Sequence, residues 1–274
     1  MNIVIGKNSN LSNTLLEKVD DIVLVSSRDI INDIDILKIY KGNKKNIIFN
    51  NFHPANQLSG VDNYLNYVQN SITVTAMVLE YFRDSEINKI VYSSSSSVYG
   101  DSSEKCKESD FVNPLNFYSS VKLANEMLVR EYCNSASIDY TIARIFNMYG
   151  GNDNFSVIFK IVHAVKNNEP ISLINDGKAL RDFININDVV VSYQKLLHSN
   201  QYDIVNIANG KAVSINEILQ YLIDKNIKIN TINSNRDEIN ISIANVDRLS
   251  HIVNIDKFLS IFAFLDKEII KSYK

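Results

Sequence analysis

The feature that most limits how this chain can fold lies in its first 150 residues, where short β-branched apolar runs alternate with stretches of helical periodicity. Residues 2–5 form such a run, closed by Gly6; residues 11–19 are amphipathic; residues 22–25 and 46–49 are further runs, the second preceded by a solvated Lys-rich turn at 41–45. Residues 61–83 repeat their apolar positions at helical spacing, 87–92 enter five consecutive serines at 93–97, 116–133 are helical again, and 139–146 give another strand. Short strands with apolar residues at successive positions are buried on both faces, which requires helices on both sides of a sheet. Five β-α repetitions predict an α/β fold with a doubly wound parallel sheet.

Beyond Gly150-Gly151 the elements become shorter and mixed. The pattern predicts helices over 155–168, 188–198 and 214–225, the last opened by a Ser-Ile-Asn-Glu capping box, and an extended stretch at 171–174. This part is expected to form a smaller C-terminal lobe over the carboxyl edge of the sheet, with a ligand crevice between. With 45% hydrophobic and 22% charged residues the chain can bury a full core. Its 28 Lys and Arg against 31 Asp and Glu produce no strong field, so neither nucleic acid nor an anionic membrane is an expected partner. Cys106 and Cys133 make no disulfide framework and no Cys/His cluster has zinc spacing, so no metal site is expected. The first residues carry no basic leader, and no run of eighteen apolar residues occurs, so the expectation is a cytoplasmic protein without membrane insertion.

Tyr118 and Lys122 are four apart in a predicted helix and therefore share a face. An ammonium beside a phenol stabilises phenolate and lowers the phenol pKa, making the tyrosine a proton donor and acceptor near neutrality. Ser95, in the serine run at the sheet edge, is placed to hold a carbonyl or hydroxyl while Tyr118 exchanges the proton. Such a constellation suits hydride transfer at a secondary alcohol, and a cofactor must carry the hydride.

Five collinear blocks resemble the extended short-chain dehydrogenase/reductases, the NAD(P)-dependent epimerases, dehydratases and reductases of nucleotide sugars. They are Val91-Tyr92-Ser93-Ser94-Ser95-Ser96-Ser97-Val98-Tyr99-Gly100, Tyr118-Ser119-Ser120-Val121-Lys122, Ala143-Arg144-Ile145-Phe146-Asn147-Met148-Tyr149-Gly150, Asp176-Gly177-Lys178-Ala179-Leu180-Arg181-Asp182-Phe183-Ile184 with Asp188-Val189-Val190, and Val205-Asn206-Ile207-Ala208-Asn209-Gly210. The resemblance implies a Rossmann-like dinucleotide-binding domain over 1–150, with later segments near 180–210 returning to it, and a mainly nucleotide-sugar-binding lobe over 151–274. It implies Ser95, Tyr118 and Lys122 as catalytic residues, with Ser96, Ser97, Asn147, Arg181 and Arg236 toward the sugar nucleotide. Cofactor contacts are expected from Gly6, Ser9, Asn10, Leu11, Ser26, Arg28, Asn51, Phe52, Ser93 and Phe146, besides Tyr118 and Lys122. Relatives also imply a homodimer through the helices at 61–83 and 116–133, with Tyr64, Tyr67 and Met127 facing outward.

The chain departs from the family at the first turn, where Gly6-Lys7-Asn8-Ser9-Asn10-Leu11-Ser12 keeps one glycine and puts Ser9 and Ser12 in place of two others. Those glycines ordinarily admit the pyrophosphate and tight helix-sheet packing. After the second strand, Val25-Ser26-Ser27-Arg28-Asp29 offers Arg28 to a 2'-phosphate, so NADP(H) is preferred and NAD(H) is the alternative. Ser96 and Ser97 occupy the positions of the dehydratase Asp-Glu pair and cannot replace a carboxylate. A loosened turn and NADP suit cofactor exchange, so the leading expectation is NAD(P)H-dependent reduction of a 4-keto-6-deoxy nucleotide sugar, for surface polysaccharide or glycan biosynthesis. The alternatives are a nucleotide-sugar 4-epimerase with retained NAD and a non-catalytic dinucleotide-binding regulatory protein.

Overall fold

A computed structural model describes residues 1–50 and 63–270. Among these residues, β1 (Asn2–Ile5), β2 (Ile22–Val25), β3 (Lys45–Phe49), β4 (Ile87–Ser95) and β5 (Asp139–Ile145) build a parallel sheet. After the short β6 (Asn147–Tyr149), β7 (Ile171–Ile174) and β8 (Leu180–Asn185), the chain returns to this sheet with β9 (Ile204–Ile207), giving the strand order β2-β1-β3-β4-β5-β9. The chain reverses direction across the sheet between β1 and β3, and in doubly wound sheets the crevice beyond the carboxyl ends at such a point receives the ligand.

The two-residue period of the strands explains both layers. Ile3, Ile5, Ile47, Phe49, Ile90 and Tyr92 point to one face, while Val4, Ile48 and Val91 point to the other. The first face is covered by α2 (Ser27–Asn32), by α4 (Val74–Tyr81), which follows α3 (Tyr64–Val68) along one helical rod, and by α5 (Phe117–Ala136). Against the second pack α1 (Asn10–Lys18), α7 (Ile186–Leu196) and α9 (Asp247–Ser250). Burying each Ile or Val on such a face contributes roughly 1.5–3 kcal/mol, which is why apolar residues dominate the middle of these strands. A third core joins α6 (Val157–Asn167), α8 (Ile215–Asp224) and α10 (Ile261–Glu268), through Ile161, Leu222 and Leu265.

In this last region β8 pairs with β10 (Ala212–Ser214), β12 (Ile241–Ser242) and β6, and β11 (Thr231–Ser234) pairs with β7. The expected capping box at Ser214 is present, with Glu217 as its partner.

Three local expectations change. Lys45 is not part of a solvated turn: it begins β3, is buried, and donates from Nζ to the Lys41 carbonyl at 3.2 Å while standing over the Phe82 ring. Helix α5 starts at Phe117, because Asn116 caps it and forms a capping box with Ser119. Tyr67 does not face outward: it is buried edge-on against Phe117.

Candidate active site

Helix α5 and strand β4 bring the chemistry together. The four-residue spacing of Tyr118 and Lys122 places both at the start of α5, over the carboxyl end of β4. Lys122 Nζ donates to the Ser93 carbonyl at 2.7 Å and lies 5.8 Å from the centre of the Tyr118 ring. Strand β4 extends through Ser95, whose hydroxyl then caps the 3-10 turn Ser96–Tyr99 by accepting from Ser97 N at 3.2 Å. Leu11, Ser93, Ser95, Tyr118, Lys122, Phe146, Asn147 and Arg236 all line one cleft of about 540 Å³.

The electrostatics of the Tyr-Lys pair differ from the expectation. Burial pushes the Tyr118 phenol above its ordinary value, and a hydrogen bond with Ser95 opposes that rise. Burial also depresses Lys122 to about 8, with the nearby Glu126 carboxylate pulling it back up. Desolvation of the phenol therefore outweighs its hydrogen bond with Ser95, and the Lys122 ammonium is turned to the Ser93 carbonyl.

Beneath the serines lies a polar layer that sequence reading passed over. Glu126, one turn beyond Lys122, accepts from the Ser94 hydroxyl and from Arg144, at 3.0 Å to Nε and 2.7 Å to Nη2. Its signal was a charged residue, Arg144, inside the apolar run of β5, since a buried charge requires a partner. Ser93 Oγ meets Tyr193 Oη at 2.6 Å. Asn125 Nδ2 donates to Ser71 Oγ at 2.7 Å, tying α5 to the π-helical stretch Gln69–Thr73.

At the first turn, Ser9 caps α1 by accepting from Ser12 N at 3.0 Å, and Gly6 takes a φ of 115°, which suits glycine. The Asn10 side chain donates to the Gly150 carbonyl at 2.8 Å and accepts from Asn152 N at 2.9 Å, joining α1 to the loop that leads into α6. Phe155 and Ile158, on that loop and helix, add an apolar wall to the cleft.

Other expected site residues lie elsewhere. Ser96 and Ser97 are outside the lining, and the Ser97 hydroxyl donates to Ser95 Oγ at 3.0 Å. Arg181 is also outside it, since its Nη2 pairs with Glu238 at 3.0 Å and its Nη1 donates to the Leu180 carbonyl. Its neighbour Asp182 accepts from the backbone N–H groups of Asn209, Gly210 and Ala244 at 2.8, 2.9 and 3.2 Å, so the Arg-Asp-Phe block is partly a structural anchor. Ser26 caps α2, and Arg28 is exposed. Asn51 and Phe52 lie outside the described residues. Cys106 and Cys133 are buried, with both thiols pushed up by desolvation, Cys133 to about 12. No helix among the described residues is long and apolar enough to cross a membrane.

Comparison with known proteins agrees with this geometry. The chain is 31% identical over 202 residues to a UDP-glucuronate 4-epimerase of Thermodesulfobacterium geofontis, a match covering 71% of this chain and 62% of that protein. The chain spans less than two thirds of the length of this and other curated relatives that it matches. Its fold is that of a UDP-N-acetylglucosamine 4-epimerase from Methanobrevibacter ruminantium, solved with UDP-N-acetylmuramic acid, at a TM-score of 0.80 and 24% identity over 99% of this chain and 98% of the other. It is also that of a UDP-glucuronic acid 4-epimerase from Bacillus cereus, solved with UDP-glucuronic acid and NAD, at 0.79 and 21% identity over 100% of both chains. The family model described as the NAD dependent epimerase/dehydratase family matches residues 4–208. With the serine run of β4, the Tyr118–Lys122 turn and the strand carrying Asn147 all inside that match, this chain belongs to the NAD dependent epimerase/dehydratase family.

Proposed function

We propose that the chain is a nucleotide-sugar 4-epimerase that retains NAD through turnover. The observation that carries the chemistry is the convergence of Ser95, Tyr118 and Lys122 on one cleft that Leu11, at the start of α1, also lines. The choice of epimerase over the 4-keto reductase favoured by the sequence rests on the three similar proteins described above, each a 4-epimerase and one of them solved with NAD. A second consideration points the same way: the first turn is cross-linked by hydrogen bonds rather than loosened, so the argument for rapid cofactor exchange loses its support.

The residues present fit a dinucleotide. The amides of Asn10 and Leu11 open α1, where no earlier carbonyl of the helix can accept from them, and such N–H groups suit a pyrophosphate. Lys122 gives one of its three donors to Ser93, which leaves two for ribose hydroxyls. Bound NAD would supply the acceptor, and later the donor, of the sugar C4 hydride.

In this reading Tyr118 takes the proton from the sugar 4-hydroxyl and returns it to the 4-keto oxygen, while the Ser95 hydroxyl holds that oxygen. Lys122 steadies the phenolate during the exchange. Arg236, exposed at the cleft rim, meets the diphosphate, and Asn147 holds the sugar nucleotide from β6. Residues 1–150 with the returning segments near 180–210 form the cofactor half, and the remainder of 151–274 mainly forms the sugar-nucleotide half. Two copies pair through α3, α4 and α5.

The test is to incubate purified protein with UDP-hexoses and UDP-hexuronates and follow the configuration at C4. The expected result is inversion without consumption of added NADH or NADPH, and Tyr118→Phe should cut turnover by roughly 10²–10⁴ while NAD binding and thermal stability persist. Stoichiometric oxidation of NADPH with a 4-keto sugar nucleotide would instead establish the reductase, the second reading, which exposed Arg28 in the first turn of α2 favours. Absence of turnover from every substrate, with the dinucleotide bound, would leave a regulatory binding protein.

A further inference from the structure

Two serines stand where the family pattern places glycines, and the structure shows how the space is used. Ser12 is fully buried on the inner face of α1, and its hydroxyl donates to the Gly6 carbonyl at 2.8 Å. Ser9 donates from its hydroxyl to Ser12 Oγ at 3.0 Å and accepts from Ser12 N. Asn50, the residue after β3, closes the web: its Nδ2 donates to Ser9 Oγ at 2.7 Å and to Ser12 Oγ at 2.8 Å, and its backbone N–H donates to the Ile5 carbonyl at 3.0 Å. The side chain is 3% exposed and lines the same cleft as Tyr118.

We propose that Asn50 is a cofactor-positioning residue, whose amide crosses from β3 to the first turn and fixes Ser9 and Ser12 so that the N–H groups opening α1 face the dinucleotide. The proposal deepens the NAD-retaining reading and rests on it. Glycines give a close turn by removing side chains; here each hydroxyl that fills the space is held by a partner. Each of the two amide hydrogens has its own acceptor, and a buried hydroxyl deprived of its donor has no water to replace it. The three side chains therefore act as one unit, and removing Asn50 matters only while the two serines are present.

The experiment is a mutant cycle on the full chain: Asn50→Ala, Ser9→Gly with Ser12→Gly, and all three together, with NAD affinity measured by calorimetry. Asn50→Ala should weaken NAD about 10-fold in the serine background and less than about 2-fold in the glycine background. An independent readout in the unliganded protein is amide hydrogen exchange at Ser12 and Asn13, which Asn50→Ala should speed about 10-fold. Should Asn50→Ala fail to fold, Asn50→Leu, which keeps nearly the same size and loses both donors without adding a charge, takes its place in the cycle. Unchanged affinity, or an equal loss in both backgrounds, overturns the proposal. If the wild-type chain binds no NAD, the cofactor reading fails, and the cross-linking role of Asn50 is then judged by the exchange rates alone, unchanged rates overturning it.

Discussion

Lys122 is the residue whose environment most shapes the site. It is buried, its ammonium points at the Ser93 carbonyl, and desolvation brings its pKa to about 8. A lysine depressed in this way is charged below that value and neutral above it, so a contribution of the ammonium to NAD binding is present at pH 7 and lost as the pH rises through about 8. NAD affinity measured from pH 7 to 9.5 should fall about 10-fold, the scale of a charge-assisted hydrogen bond, and Lys122→Gln should bind weakly with a flat profile. A flat wild-type profile would remove Lys122 from the cofactor site. The Tyr-x-x-x-Lys spacing was legible because helical geometry fixes it; the direction of the phenol shift was not, because burial is a property of everything packed around the ring.

At the scale of elements, α5 is held in height against the sheet by the Glu126–Arg144 pair, whose side chains are 6% and 4% exposed. Glu126 also takes the Ser94 hydroxyl, between the two serines that meet Lys122 and Tyr118. The Arg144 guanidinium further lies 4.8 Å from the centre of the Tyr99 ring. Glu126→Gln leaves a buried guanidinium without its counter-charge and should cost about 3–5 kcal/mol in chemical denaturation. Glu126→Leu with Arg144→Met should recover most of that loss, because a buried pair is costly to break and much less costly to replace whole. If the double replacement were as unstable as the single one, the pair would be more than a mutual neutralisation. Among the elements themselves, β1 to β5 were readable from their apolar runs. The two- and three-residue strands β6, β10 and β12 were not, since such lengths carry no period and exist through pairing with β8.

For the whole molecule, long-range hydrogen bonds join what the sequence separates. Asn10 links α1 to residues 150 and 152, and the Asp182 carboxylate gathers the backbone at 209, 210 and 244. The proposed dimer belongs to this scale as well. Tyr64, Leu65 and Met127 remain 60%, 67% and 45% exposed on the helices that would meet, an apolar surface suited to a two-fold contact. Light scattering should report twice the chain mass, and Leu65→Lys with Met127→Lys should shift it to the single-chain value. A monomeric wild type would reject the pairing.

By itself the sequence determined the layered α/β plan, because burial on both faces of short strands demands apolar residues at successive positions, and that demand is written locally. It determined in the same way that Tyr118 and Lys122 share one face of a helix. Only the tertiary structure decided that Asn50 meets Ser9 and Ser12, that Arg236 reaches the cleft while Arg181 turns to Glu238, and that Ser96 and Ser97 stand aside. Those outcomes depend on which polar groups become neighbours once the chain is packed, and a buried donor or acceptor is satisfied by whatever partner the fold brings within reach, however distant in sequence.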